Sequence, residues 1–549
     1  MRKGEILDMT DNMQRREIEE RYGKLSPFEL KDKLISYAEE GSRKSTKIML
    51  NAGRGNPNWI ASTPRDAFFT LGHYAVTEAK MTWEDGDLAG MAKKPGIYNR
   101  FMAYADQHSD YPGMDFLRKA VEFGIVTQGF DPDAWVHELV DGIIGDNYPV
   151  PDRMLRHMEE IVNDYIIQEV YGDKDIGKFD LFAVEGATAA MCYLFDTLVA
   201  NALLHPGDRI AIMVPIFTPY LEVPHLPRYH FDTVEIHASE LREDGSHTWQ
   251  YPTSELEKLK DKTIKALFIV NPSNPPSIAI RPETVHELKE IVAKHNPELM
   301  IISDDVYCTF VKEFRSLMTE MPYNTVGVYS FSKYFGVTGW RLGVIAVHEH
   351  NIFDEKLKNL PKVETDRLAV RYGALTEHPE EVRFIDRIVA DSRAVALNHT
   401  AGLSTPQQVQ MALFSIFSLL DREDVYKRQT MDICRRRQRL LFEGLGVELR
   451  EDPHDAAYYF ELDLMEWAQR KYGQSFANYL IQNYSSLDLL FRLAEEHSIV
   501  LLNGGGFRGP EWSVRFSLAN LNDEAYLHIG QMVRQTFESY VAAWKAAEN

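Results

Sequence analysis

From about residue 180 to residue 347 the chain alternates short apolar runs with helix-patterned segments, and nothing else restricts its fold as strongly. Residues 181–184, 209–214, 264–270, 299–303, 326–331 and 342–347 each read as a strand. Between them, Gly186-Ala187-Thr188 opens a helix running through Leu198, and Val285, Leu288, Ile291 and Val292 share one face of another. Strands joined through crossover helices lie parallel and are covered on both faces. The predicted fold class is therefore α/β, a mostly parallel sheet between helices, with a smaller α+β unit towards the C-terminus.

A chain of 549 residues is long enough for more than one domain. We expect residues 1–55 to belong to the small domain, 56–150 to form a helical addition, 151–400 to form the large domain and 401–549 to complete the small one. The net charge of −22 argues against a nucleic-acid or anionic-membrane surface, though a local basic pocket for a small anion is compatible with it. Cys192, Cys308 and Cys434 are far apart, which suits a reducing compartment and gives no metal-site signal. Residues 1–21 are polar, without the apolar core of a signal peptide, and no apolar run approaches the ~18 residues needed to span a bilayer. The expected location is cytoplasmic.

Around the sheet, Ser26-Pro27-Phe28-Glu29 reads as a capped helix start, with Ser26 as N-cap and Glu29 completing a capping box. A capped helix is predicted from Pro151 onward, with Met154, Leu155, Met158, Ile161, Val162 and Tyr165 as its apolar positions. Residues 354–430 are charged and helical, broken at Ser404-Thr405-Pro406.

Ligands of open α/β sheets bind beyond the carboxyl ends of the strands, and the polar motifs collect at those ends. Gly186, Ala187 and Thr188 at a helix start offer N–H groups and a hydroxyl to a phosphate. Phe217 follows a strand in a proline-framed turn, where its ring can cover a flat ligand, core packing being the commoner role of such a ring. Asn274 lies in a doubled Asn-Pro turn; Asp304 and Tyr307 follow the strand at 299–303. An aspartate buried at a strand end needs a cationic partner, and a protonated pyridine nitrogen is one. Ser330, Ser332 and Arg341 add phosphate contacts around Lys333, whose amine, partly desolvated, suits imine formation with a carbonyl.

The succession Asn-Pro-x-Asn-Pro, Asp-x-x-Tyr, and Ser-x-Ser-Lys with an arginine eight positions later resembles the fold-type I pyridoxal-phosphate enzymes of the aspartate aminotransferase subgroup. The resemblance implies a mostly parallel seven-stranded sheet in the large domain and pyridoxal 5′-phosphate as cofactor, held on Lys333 as a Schiff base. It implies Asp304 on the pyridine nitrogen, Asn274 and Tyr307 on the 3-oxygen, and Phe217 on the ring. Gly186, Ala187, Thr188, Ser330, Ser332 and Arg341 then surround the phosphate, and Arg515 clamps the substrate α-carboxylate. Tyr148 matches a tyrosine that reaches the neighbouring subunit's phosphate, implying a homodimer as the minimal active unit and a higher assembly of dimers. The usual Asn-Pro-Thr-Gly is replaced by Asn274-Pro275-Pro276-Ser277 and the usual Asp-Glu by Asp304-Asp305, changes that affect loop shape more than chemistry.

The chain is longer than ordinary members, with additions in 60–145, 350–400 and the C-terminal unit. With them it resembles the branch that removes the β-carboxylate of L-aspartate through a ketimine, giving L-alanine and CO2, with transamination against 2-oxo acids on the side. Arg54, in Gly53-Arg54-Gly55, is expected to face the distal carboxylate and Gly55 to lie near the α-carboxylate; the competing reading pairs Arg54 with a surface acid. Two rivals stand beside this expectation. One is a dicarboxylate aminotransferase without significant decarboxylation. The other is a non-catalytic cofactor-binding regulator, which needs a basic DNA-binding module that the N-terminal region does not offer.

Overall fold

The computed structural model describes residues 22–44, 48–83, 88–396 and 401–548, so the polar stretch 1–21 lies outside the described residues. Helix Pro27–Lys44 starts with the expected capping box. The Ser26 amide donates to Glu29 (3.0 Å) and the Glu29 amide donates back to the Ser26 hydroxyl (3.4 Å), satisfying donors that a helix start leaves open. The chain then forms a short strand, β1 (Leu50–Asn51).

The addition is helical, as expected: Ser62–Lys80, Ile97–Gln107, Met114–Glu122 and Pro132–Ile144 close on one another through Leu71, Phe101, Leu117 and Trp135. Helices Arg156–Glu169 and Thr405–Leu420 complete this core. The helix predicted from Pro151 begins only at Arg156. Tertiary contacts hold the preceding residues off the helical path. The Arg153 carbonyl accepts from the Ala183 amide (3.2 Å), and the Leu155 amide donates to Gln408 (2.7 Å). The break at Ser404 is likewise a helix start, with Pro406 in its first turn.

The central sheet contains β2 (Phe179–Val184), β3 (Arg209–Val214), β4 (Asp232–His237), β5 (Ile264–Val270), β6 (Met300–Asp304), β7 (Thr325–Ser330) and β8 (Gly343–His348). Their order is β2-β8-β7-β6-β5-β3-β4, and only β8 runs antiparallel to its neighbours. Six strands lie where their apolar runs placed them. The seventh, β4, has no such run: it is an edge strand whose polar residues face water and whose Ile236 alone is fully buried. Period-two alternation sorts the buried side chains. Ile212, Phe268, Ile302, Val328 and Ile345 point to one face, under helices Ala187–Ala200 and Phe384–Ala396. On the other face Met213, Leu267 and Ile301 pack beneath Pro282–His295, while Tyr329, Val344 and Leu181 meet the added helices.

The C-terminal unit pairs β9 (Tyr459–Asp463), β11 (Leu502–Asn503) and β12 (Ser513–Ser517) in an antiparallel sheet. Between them, β10 (Ile499–Val500) runs parallel to β1, which stitches the N-terminal segment to this unit. Leu30 and Leu34 of the first helix share its core with Leu493 and Val500.

Candidate active site

Five strand ends converge on one cavity of about 410 Å³ between the sheet and the C-terminal unit. Val270, Asp304 and Ser330 are the last residues of β5, β6 and β7, and all three line it. Beyond β2, Gly186 caps helix Ala187–Ala200 at φ 89°, and a side chain there would run into the Arg341 guanidinium at 2.7 Å. The chain needs glycine at that point for both reasons.

Lys333 follows β7 in a turn whose aromatic residues are pulled to the opposite side. Phe331 stacks on Tyr165 (5.1 Å), and the Tyr334 carbonyl accepts from Tyr426 Oη (2.8 Å) and Trp59 Nε1 (3.1 Å). The lysine is left facing the cavity, where Nζ donates to the Gly55 carbonyl at 3.1 Å. Burial pushes its amine below the ordinary range. Asp304 is buried, accepting from Tyr220 Oη (3.1 Å) and the Val306 amide (3.3 Å). Burial raises its carboxyl to about 6, against the pull of these donors and of Lys333. A carboxyl so placed gains most from a cation arriving in the cavity.

The phosphate-type donors cluster at the other end. Ser330 Oγ lies 3.0 Å from Ser332 Oγ. Arg341, held at φ 58°, donates to the carbonyls of Thr338 (3.1 Å) and Glu185 (3.0 Å). Ala187 and Thr188 bring a helix N-terminus to the same place, and Phe217 lines the cavity with its ring edge-to-face on Phe28 (6.0 Å).

Arg515 is 1 % exposed and has no carboxylate partner among the described residues. Nη1 donates to Asn274 Oδ1 (3.1 Å), Nη2 to the Gly53 carbonyl (2.8 Å), and Nε has no partner among the described residues. Its guanidinium lies 4.4 Å above the Tyr459 ring and 5.1 Å from that of Phe507. A buried cation without an anion is costly, and one that lines a cavity is a ready anion site. Arg54 differs: it is exposed at the mouth and pairs with no carboxylate among the described residues. Gly55 beside it admits no side chain, because a Cβ would stand 2.6 Å from Tyr459 Oη.

The cavity gathers Ala187, Thr188, Phe217, Asn274, Asp304, Tyr307, Ser330, Ser332, Lys333, Arg341, Arg515, Arg54 and Gly55, with Gly186 directly behind. Tyr148 is not among them: it is 73 % exposed, outside the cavity of its own chain. Sequence reasoning missed Phe28, Lys31, Tyr220, Tyr458 and Tyr459. Phe28 and Lys31 stand one turn apart at the start of the first helix, the only local sign that both face one way. Tyr220 closes on Asp304 from beyond β3, a contact no spacing announces.

The family model for aminotransferase class I and II matches residues 188–530. A "Bifunctional aspartate aminotransferase and L-aspartate beta-decarboxylase" of Pseudomonas sp is 48 % identical over 525 residues, 95 % of this chain and 97 % of that protein. An aspartate aminotransferase of Sulfolobus acidocaldarius is 31 % identical over 182 residues, 32 % of this chain and 42 % of that protein. Among solved structures, a Thermus thermophilus aspartate aminotransferase double mutant superposes with a TM-score of 0.56 at 16 % identity, covering 92 % of this chain and 95 % of that one. An aromatic aminotransferase from Pyrococcus horikoshii OT3 gives 0.55 at 17 %, covering 91 % and 99 %. These two show the fold, and the family match extends through the lysine turn and β12. The chain belongs to the class I and II aminotransferases, a family dependent on pyridoxal phosphate.

Proposed function

We propose that the protein removes the β-carboxylate of L-aspartate, releasing L-alanine and CO2, and transaminates aspartate with 2-oxo acids as a side reaction. The observation that carries this reading is the pair of cations around Lys333. Arg515 is buried and lacks a carboxylate partner among the described residues, Arg54 is exposed at the mouth, and both line the cavity that holds the lysine. Two cations suit a dicarboxylate, and the whole-length likeness to a bifunctional relative favours decarboxylation over transamination alone.

The cavity fits pyridoxal phosphate. Asp304 is a buried carboxyl in want of a cation, and Ser330, Ser332, Arg341 and the helix start at Ala187 form an anion cradle at the far end. Asn274 and Tyr307 stand between, on the side of Arg515. When bound, the cofactor supplies an electron sink for the pair left at Cα and, one carbon further, at Cβ. Lys333 anchors it and then carries the Cα proton, a task suited to an amine that burial holds below its ordinary value. Arg515 binds the α-carboxylate. Arg54 turns the β-carboxylate so that the Cβ–CO2 bond breaks; a proton then replaces CO2 at Cβ. The balance is aspartate plus one proton to alanine plus CO2.

Tyr148 completes the phosphate site of a second copy, so the working unit is at least a homodimer. The domain division expected from sequence is part of this proposal, with helix Thr405–Leu420, assigned there to the small domain, packed into the core of the added helices. No helix among the described residues is long and apolar enough to cross a membrane. The three cysteines, all free, suit the reducing cytoplasm.

The test is to incubate the holoenzyme with L-aspartate and no 2-oxo acid. Continuous release of alanine and CO2 supports the proposal. A single turnover that ends with oxaloacetate and no alanine identifies a plain aminotransferase.

A further inference from the structure

One serine stands where two halves of the cavity are fastened together. The turn that carries Asn274 runs on into residues 277–279, which lie against the root of β9. The Ala456 amide donates to the Ser277 carbonyl (2.8 Å), the Ala279 amide to the His454 carbonyl (2.8 Å), and Ile278 bridges Asp455. At the centre, the Ser277 hydroxyl accepts from two consecutive amides, those of Tyr458 (3.1 Å) and Tyr459 (3.2 Å). Ser277 is fully buried and holds a left-handed backbone, φ 68°. Glycine adopts that backbone without cost, whereas serine strains it. What serine adds is the hydroxyl.

The two tyrosines reach the reacting centre. Tyr458 Oη donates to the Gly55 carbonyl (2.8 Å), the same oxygen that accepts from Lys333 Nζ. Tyr459 receives the Tyr307 hydroxyl (3.1 Å) and offers its ring to Arg515. Arg515 in turn donates to Asn274, on the turn that Ser277 closes. The loop is therefore closed: turn, serine, tyrosine pair, arginine, turn.

We infer that Ser277 is a positioning residue, its hydroxyl setting the register of Tyr458 and Tyr459 and through them the placing of Arg515 and of the Gly55 carbonyl against a bound dicarboxylate. The inference rests on the reading of Arg515 as the carboxylate clamp. Without the hydroxyl, two buried amides lose their acceptor, and the strand root shifts to recover one.

Ser277→Gly keeps the backbone and removes only the hydroxyl, and it is compared with Ser277→Ala, which strains the turn as well. The holoenzyme is titrated with maleate, a dicarboxylate that cannot react, following the visible absorbance of the bound cofactor. For Ser277→Gly the maleate Kd and the aspartate KM are expected to rise about five- to tenfold, with kcat changed less than about threefold and Tm within about 3 °C of the parent. Wild-type maleate affinity and aspartate KM in a folded Ser277→Gly enzyme would overturn the inference. If Ser277→Ala does not fold, the glycine variant decides alone. Arg515→Ala is run beside them: unchanged maleate affinity there defeats the clamp itself, whereas a loss there with none in Ser277→Gly defeats only the role of Ser277.

Discussion

The two sides of the cavity are built differently. The floor, at the ends of β5, β6 and β7 with Arg341 beside them, consists of buried or half-buried groups tied to the main chain: Asp304 to Val306, Ser330 to Leu342, Arg341 to Thr338 and Glu185. The rim comes from distant stretches, Gly53–Asn56 and the C-terminal sheet, and it includes both a locked arginine, Arg515, and an exposed one, Arg54. Groups fixed at the strand ends suit a constant partner, the cofactor. Groups brought in from distant stretches of the chain suit a partner that comes and goes. On this comparison, changes to the floor strike decarboxylation and transamination alike, and changes to the rim separate them or alter substrate affinity alone.

The largest expected effect is at Lys333. On the proposed roles, Lys333→Ala removes anchor and proton carrier at once, so both activities are expected to fall by roughly 10⁴-fold or more, and the cofactor's visible absorbance is expected to report no covalent link. Transamination that survives while decarboxylation is lost would break the division between floor and rim.

Next is Arg515→Ala. Losing a charge-assisted pair worth about 1.5–3 kcal/mol lowers kcat/KM for aspartate roughly 10- to 150-fold in both reactions. Steady-state kinetics with alanine and oxaloacetate quantified in parallel check this, and a loss confined to one product would contradict it.

Asp304 gives a pH dependence. Only the carboxylate attracts a protonated ring nitrogen, and burial has brought the carboxyl up to about 6 in the free chain. Below that value the acid is protonated, so cofactor affinity of the apoenzyme is expected to fall roughly tenfold per pH unit as pH drops through about 6. Fluorescence titration of apoenzyme measures it; Asp304→Asn is expected to bind weakly at every pH, without that slope.

Arg54→Ala is the smallest and the most diagnostic. The ratio of alanine to oxaloacetate formed is expected to change by roughly three- to tenfold while cofactor affinity is unchanged, because the proposal gives Arg54 only the distal carboxylate. An unchanged ratio would remove Arg54 from the mechanism.

Most of the floor was legible in the sequence because Asp304, Ser330 and their neighbours follow apolar runs that read as buried strands, so strand ends and chemistry arrive together. β4 was not legible, since an edge strand with Asp232, Glu235 and His237 lacks that run. Nor was the start of helix Arg156–Glu169, displaced by hydrogen bonds to Ala183 and Gln408 that no local pattern records. On the rim, Arg54 and Arg515 were visible as arginines in short motifs, but the tyrosine pair at 458–459 was visible only as strand. Its contacts are with Gly55, Ser277 and Tyr307, which lie 403, 181 and 152 positions away. Replacing the glycine of the usual turn with Ser277 reads as a change of loop shape. Only the fold shows where its hydroxyl points.

The most direct test of the central claim follows individual carbons. Holoenzyme is given L-aspartate labelled with carbon-13 at C4, in deuterated water and without 2-oxo acid. Beta-decarboxylation predicts that the label leaves entirely as CO2 and that unlabelled alanine accumulates with deuterium at Cβ. Label retained in oxaloacetate, with no alanine formed, would contradict it.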